Sequence, residues 1–165
     1  MKLLGIACLA LAASSLAACT SLDDMPSDGN ATISLGDGPI ARQSVFGAAG
    51  SYIQVFIAEH ADADAFTIAG DPRITFMLDV GDTHAPDTIP SVVLDDDMDG
   101  PRLNVLEGGT VSRFATSGTI TVESCRWDED GPRLLEVLGE IDATLEGGGH
   151  LTGTFSSVRE RHSGV

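Results

Sequence analysis

Beyond its second residue the chain contains no lysine, so its other basic side chains are eight arginines set against 25 acids, and with Lys2 counted the formal net charge is −16. A field of that sign repels phosphate backbones and anionic head groups, which argues against binding of DNA, RNA or acidic lipid. Cation binding or a basic partner stay open beside a merely solvated surface. Cysteine is nearly as scarce: of three, Cys8 lies inside an apolar leader, Cys19 at its end, and Cys125 is left alone. A lone thiol builds no disulfide framework, so apolar burial must hold the fold, and Cys125 is expected as a small core residue. The apolar run at the amino end stops by Ala18, short of the ~20 residues that a bilayer-spanning helix needs. Also missing are G-x-S-x-G, H-E-x-x-H and any Cys-His pairing, so a hydrolase has no residues to name and a non-enzymatic protein is expected.

What is present begins with a leader. Met1 and Lys2 form a short positive start, Leu3 to Leu11 an apolar segment, and the residues up to Ala18 a small-residue run, the parts of a secretory signal. Its closing quartet Leu16-Ala17-Ala18-Cys19 resembles the lipobox of bacterial lipoproteins at every position. The resemblance implies cleavage between Ala18 and Cys19, a diacylglyceryl group on the Cys19 thiol, and attachment to a membrane through it. The alternative is an ordinary cleaved signal with an incidental cysteine. Buried acyl chains contribute ~0.8 kcal/mol per methylene, so two or three chains hold a domain where one would not. Thr20 occupies the position where Asp favours inner-membrane retention in enterobacterial lipoproteins, which leans the expectation to the outer membrane of the cell envelope, with the periplasmic or surface face open.

Thr20 to Asn30 is short, polar and broken by Pro26 and Gly29, and reads as a tether. The expected organisation is a signal peptide over 1–18, lipidated Cys19 with a tether over 19–30, one β domain over 31–158 and a polar tail over 159–165. Within the domain, period-two alternation predicts strands at Ala31 to Leu35, Arg73 to Val80, Gly118 to Arg126, Leu138 to Leu145 and Leu151 to Val158. Shorter ones are expected at Phe66 to Ala69, Ser91 to Leu94, Arg102 to Leu106 and Thr110 to Phe114. Ser51 to Glu59 carries Ile53, Val55 and Ile57 on one face and Tyr52 and Phe56 on the other, as in a strand covered on two sides. Residues 40–50 read as loop or short helix, and His60 to Asp64 as a polar connection. About eight to ten short strands without helical periodicity predict an all-β fold, an antiparallel β-sandwich or small barrel.

The segments Ser117 to Val122, Gly139 to Leu145 and Leu151 to Phe155 resemble a pattern that recurs in uncharacterised bacterial secreted lipoproteins with β-sandwich-like domains. That resemblance implies a fold and an envelope location and supplies no catalytic residues.

The strongest site candidate is the acidic run in which Asp95, Asp97 and Asp99 precede Gly100, the D-x-D-x-D-G opening of a calcium loop. Its second half departs, because Leu106 stands where the bidentate Glu belongs and Pro101 follows the glycine. The stretch Asp97 to Leu103 also has a near-copy at Asp128 to Leu134, with Arg126 standing where Asp95 stood, which points to turn chemistry first. Weaker candidates for a transition metal are His60 with Asp62 and Asp64, and His84 with Asp82 and Asp87; neither has paired histidines. His150 and His162 are expected in solvent. Gly36-x-Gly38-x-x-Ala41 matches a dinucleotide fingerprint only formally, since Pro39 removes an amide and Asp37 repels phosphate. The leading expectation is a non-enzymatic envelope lipoprotein without a cofactor, with or without a protein partner. A calcium-dependent adhesion module and a small-ligand carrier built as a lipocalin-like barrel are the alternatives.

Overall fold

The computed structural model describes residues 29–63, 67–81, 89–95, 101–129 and 133–161. The signal, Cys19 and nearly all of the tether lie outside them. The described residues form strands β1 (Gly29–Ser34), β2 (Pro39–Ala49), β3 (Tyr52–Ala58), β4 (His60–Asp62), β5 (Thr67–Ala69), β6 (Arg73–Asp79), β7 (Val92–Leu94), β8 (Leu103–Glu107), β9 (Thr110–Trp127), β10 (Leu134–Leu145) and β11 (His150–Arg159). Among them there is no helix.

Alternation decides which side of each strand is wet. The register Ile53↔Leu78, Val55↔Phe76 and Ile57↔Ile74 sets six buried apolar side chains of β3 and β6 on one face, while Tyr52, Gln54 and Met77 are exposed on the other. The same division runs through β10, where Val137, Ile141, Ala143 and Leu145 point in and Glu140 and Asp142 point out.

Eight of the strands close on themselves. β1, β2, β3, β6, β8, β9, β10 and β11 each pair with the next, and β11 returns to β1, every step antiparallel. The molecule is therefore an up-and-down β-barrel, and the sandwich alternative falls. An alternating pattern cannot separate the two, since each needs one apolar face; closure comes from long strands such as β9, with 18 residues, that pair on both edges. Coiling is helped by register shifts in the β9–β10 ladder at Leu138/Gly139 and Thr144/Leu145 and by glycines that let backbones approach. A Cβ on Gly118 would collide with the Asp142 carbonyl, and one on Gly139 with the Thr121 carbonyl and with Phe155 Cζ at 2.8 Å.

The barrel is filled across its axis. β6 and β11 lie on opposite sides of the eight-strand ring, yet Phe76 and Phe155 meet edge to face with centroids 5.2 Å apart. They belong to one buried cluster that draws on β1, β2, β3, β6, β8, β9, β10 and β11, with Cys125 and Trp127 packed against it. Cys125 is thus the half-buried core residue that its isolation suggested.

β1 is a wedge. Beyond Gly29, where a Cβ would strike the carbonyls of Ser44 and Ser156, β2 and β11 pair directly in parallel through Val158↔Val45 and Arg159↔Phe46. The buried hydroxyls of Ser44 and Ser157 hydrogen-bond to each other beside that junction. Outside the wall, the β4–β5 ribbon covers a second cluster of Val45, Ala61, Ala63 and Val158 with Phe56 and Ile68. Gln43 Oε1 accepts from Ala61 N at 2.9 Å, and Arg161 N donates to Ala63 O at 2.8 Å. Where the carboxyl end packs here, burial first and the nearby Arg133 second lower the pKa of Arg159, against a raising effect of Glu160.

Several boundaries differ from the sequence expectation. Residues 40–50 are mostly strand β2, whose small and polar residues hid the alternation. Gly29 and Asn30 belong to β1 instead of the tether, and Arg159 to β11 instead of the tail. Thr110 to Phe114 and Gly118 to Arg126 are parts of one strand, β9, and His60 to Asp62 pair with β5. The outer face of β3 is covered only towards its end, at Phe56 and Ala58, and Tyr52 is 44% exposed.

Candidate functional site

The barrel wall is interrupted at one place. Along β9, one neighbour is β10 from Ala115 to Trp127; the other is β8 as far as Phe114 and then β7 from Gly118 to Ile120. β7 and β8 are two pieces of a single wall position, and Asp95, Pro101 and Arg102, the described residues between them, are in no strand. β8 pairs with β6 from Leu106↔Arg73 as far as Leu103↔Phe76. Continuing that register sets Arg102 opposite Met77 and Pro101 opposite Leu78, a pair whose backbone groups face away from each other.

Among the described residues β6 has no ladder partner on that side at Leu78 and Asp79, and β7 has none on its edge away from β9. Val80 N donates to Ser51 O of the β2–β3 turn at 2.8 Å. Alternation along the strand then turns the N–H and C=O of Met77 and Asp79 away from β3, and the Phe76↔Leu103 pairing brings the Met77 N–H onto the Arg102 carbonyl. A cavity of about 550 Å3 lies here, lined by Tyr52, Gln54, Met77, Asp79, Val92 and Asn104 among others. Asp79 Oδ1 accepts from Gly81 N at 2.8 Å, which fixes its carboxylate at the end of the opening. A phenol ring, a thioether and two amides can bind; they supply no nucleophile paired with a base.

The sequence candidates fall elsewhere. Asp95 is exposed just beyond β7 and beside the interruption, while Asp97, Asp99 and Gly100 lie outside the described residues, as do Ala18 and Cys19. Among the described residues no group of three His, Cys, Asp or Glu stands close enough to hold a metal ion. His60 and Asp62 are exposed on β4, with His60 Nε2 3.8 Å from Glu59 Oε1, and Asp64 is not described. The set of His84, Asp82 and Asp87 is likewise outside, with His162. His150 is exposed but pairs with Asp142 at 3.3 Å. Gly36 and Gly38 take positive φ in a turn that leads into β2 and not into a helix, so the dinucleotide fingerprint lacks its setting.

No family model and no curated protein matches the chain. A redesigned β-barrel of known structure is similar over 84% of this chain and 91% of its own, at 19% identity and a TM-score of 0.39.

Residue pattern did not reveal the opening, because Met77 and Asp79 look like any outward positions of an alternating strand. One signal was readable: Pro101 before the short Arg102 to Leu106 strand forbids its extension backwards.

Proposed function

We propose that this protein is a lipid-anchored component of the cell envelope, attached through Cys19, whose barrel is a non-enzymatic binding or structural module. The observation that carries the reading is the sidedness of the barrel. Apolar side chains fill the inside, whereas Thr119, Thr121, Glu140, Asp142 and Thr154 stand exposed outside. A lipid-embedded barrel carries the opposite arrangement, an apolar band outward. A water-exposed domain behind a lipobox needs acyl chains to stay at a membrane, and the working surface of a filled barrel is its exterior. Thr20 favours the outer membrane.

A carrier would need an apolar chamber, and the Phe76–Phe155 contact occupies the axis where one would lie. The calcium-dependent alternative has Asp95 beside the wall interruption in its favour.

Metabolic labelling with an alkyne fatty acid tests the anchor. The expected outcome is a labelled mature protein in the outer-membrane fraction, with Cys19→Ser unlabelled and retaining its leader. Mass spectrometry finding a mature end other than acylated Cys19 would sink the reading.

A further inference from the structure

We infer that the groove over the outward faces of β3 and β6 binds a short neutral oligosaccharide, with one sugar ring laid on the phenol of Tyr52 beside Asp79 and the hydroxyls further along held by Gln54 and Asn104. This deepens the binding-module reading and rests on it.

Strand register assembles the lining. Tyr52 stands directly opposite Asp79 and Gln54 opposite Met77, all four exposed, and Thr75 stands opposite Asn104 one strand further on. Residues paired in this way have Cβ atoms ~4.5–5.5 Å apart, and these side chains border one cavity of about 550 Å3, within the ~300–1,000 Å3 range of small-molecule sites. From Thr75 to Asp79 along β6 the groove runs roughly 13 Å, longer than one sugar ring. Its polar groups are uncommitted: the Tyr52 hydroxyl and the side chains of Gln54, Thr75 and Asn104 have no hydrogen-bond partner among the described residues. A side-chain amide both donates and accepts, as a sugar hydroxyl does, and the C–H face of a pyranose carries the partial positive charge that the negative face of an aromatic ring attracts. Asp79 Oδ1 is held by Gly81 N at 2.8 Å, which aims the second carboxylate oxygen as an acceptor beside the ring. Other ligand classes fit less well. A wholly apolar molecule would cover the amides and leave them unpaired. A cation meets the Arg102 guanidinium, and an anion meets Asp79 within a chain of net charge −16; an uncharged polyol meets neither penalty.

Tyr52 is the chain's single tyrosine, so biosynthetic incorporation of fluorotyrosine gives one fluorine resonance that reports this groove alone. The full chain, in a detergent without a sugar head group, is titrated with maltotriose, cellotriose and chitotriose. At least one of them shifts the resonance saturably with a Kd near or below ~1 mM, and its affinity changes by less than about 1.5-fold when salt is raised to about 0.5 M, since the ligand is uncharged. Calorimetry on variants assigns the contacts. Tyr52→Ala weakens binding by about fivefold or more, and Tyr52→Phe keeps it within about threefold because the ring remains. Gln54→Ala and Asn104→Ala each weaken it by about three- to tenfold while moving Tm by less than ~2 °C, since neither side chain has a protein partner to lose; a merely structural role would lower Tm and spare the Kd. The inference is overturned if none of the three sugars moves the resonance at about 20 mM, if the alanine variants bind as tightly as wild type, or if choline or a Lys-Val-Val peptide saturates the resonance in place of the sugars. The bound sugar is recovered intact: its cleavage would sink the non-enzymatic reading and leave the site standing, whereas a silent titration sinks the site and leaves the anchor untouched.

Discussion

Replacing Phe155 with alanine tests whether the barrel is solid across its axis. The side chain is 3% exposed, its ring meets Phe76 at 5.2 Å and 64°, and its Cζ lies against Gly139. Truncating a buried phenylalanine costs ~3–5 kcal/mol, of which the cavity left behind is a part. At roughly 3–5 °C per kcal/mol for a domain of this size, Tm falls by about 10–20 °C. Phe76→Ala removes the facing ring and costs a similar amount. The two substitutions should not add, because the edge-to-face contact contributes ~0.5–1.5 kcal/mol that either variant already forfeits. Urea denaturation of wild type, both single variants and the double variant, followed by circular dichroism, measures this coupling. An additional readout comes from the hole: a dry apolar cavity binds benzene or xenon, so Phe155→Ala gains stability with benzene and wild type does not. Strict additivity, a loss below ~1 kcal/mol, or stoichiometric uptake of a bulky apolar ligand by wild type would each refute a filled interior.

Gly139→Ala is expected to lose ~2–4 kcal/mol in the same denaturation assay, since its Cβ meets both the Thr121 carbonyl and the Phe155 ring; the Phe155→Ala background should relieve only the ring part. Ser44→Ala leaves Ser157 buried without its partner and costs ~1–2 kcal/mol, whereas the double variant Ser44→Ala/Ser157→Ala should come within about 0.5 kcal/mol of wild type. For the acidic run, Asp95→Asn is expected to shift Tm equally with and without millimolar calcium; a calcium-bound loop would instead show a metal-dependent rise of ~2.7 kcal/mol at a hundredfold excess over Kd, lost in the variant.

How far the sequence could be read depended on how strongly each residue's partner constrains it. β6 and β10 were legible because every second side chain is a large hydrophobe committed to the interior, as with Ile74, Phe76 and Leu78. β2 was not. Ser44 faces inward with only a hydroxyl, Arg42 shares that side, and Val45 faces outward yet is fully buried under the β4–β5 ribbon, so the period is blurred by partners far along the chain. Closure was out of reach for a related reason: the contact of Phe76 with Phe155 and the wedge of Gly29 between β2 and β11 join residues from more than half to nearly the whole of the domain apart. The opening beside β6 was hidden because a missing neighbour leaves no mark on the strand that lacks it.

The repeated Asp-Gly-Pro-Arg-Leu stretch gains a structural meaning from where its two copies end. Leu103 is the first residue of β8 and Leu134 the first of β10, and both are buried while the preceding Arg102 and Arg133 are exposed. In the second copy Asp128 N donates to Arg133 O at 2.8 Å, closing the loop just ahead of that leucine. The shared part of the repeat therefore starts a strand with its first side chain turned inward. What differs is upstream: Arg126 sits within β9 and pairs with Glu136 at 3.2 Å, whereas Asp95 lies beyond β7, where the wall has already let go. A position that serves as a wall residue in one copy and a loop residue in the other is set by the barrel's continuity, not by a common ligand. Asp95 is then an exposed residue where the strand is interrupted, and the cavity beside that interruption is the feature with room for a ligand.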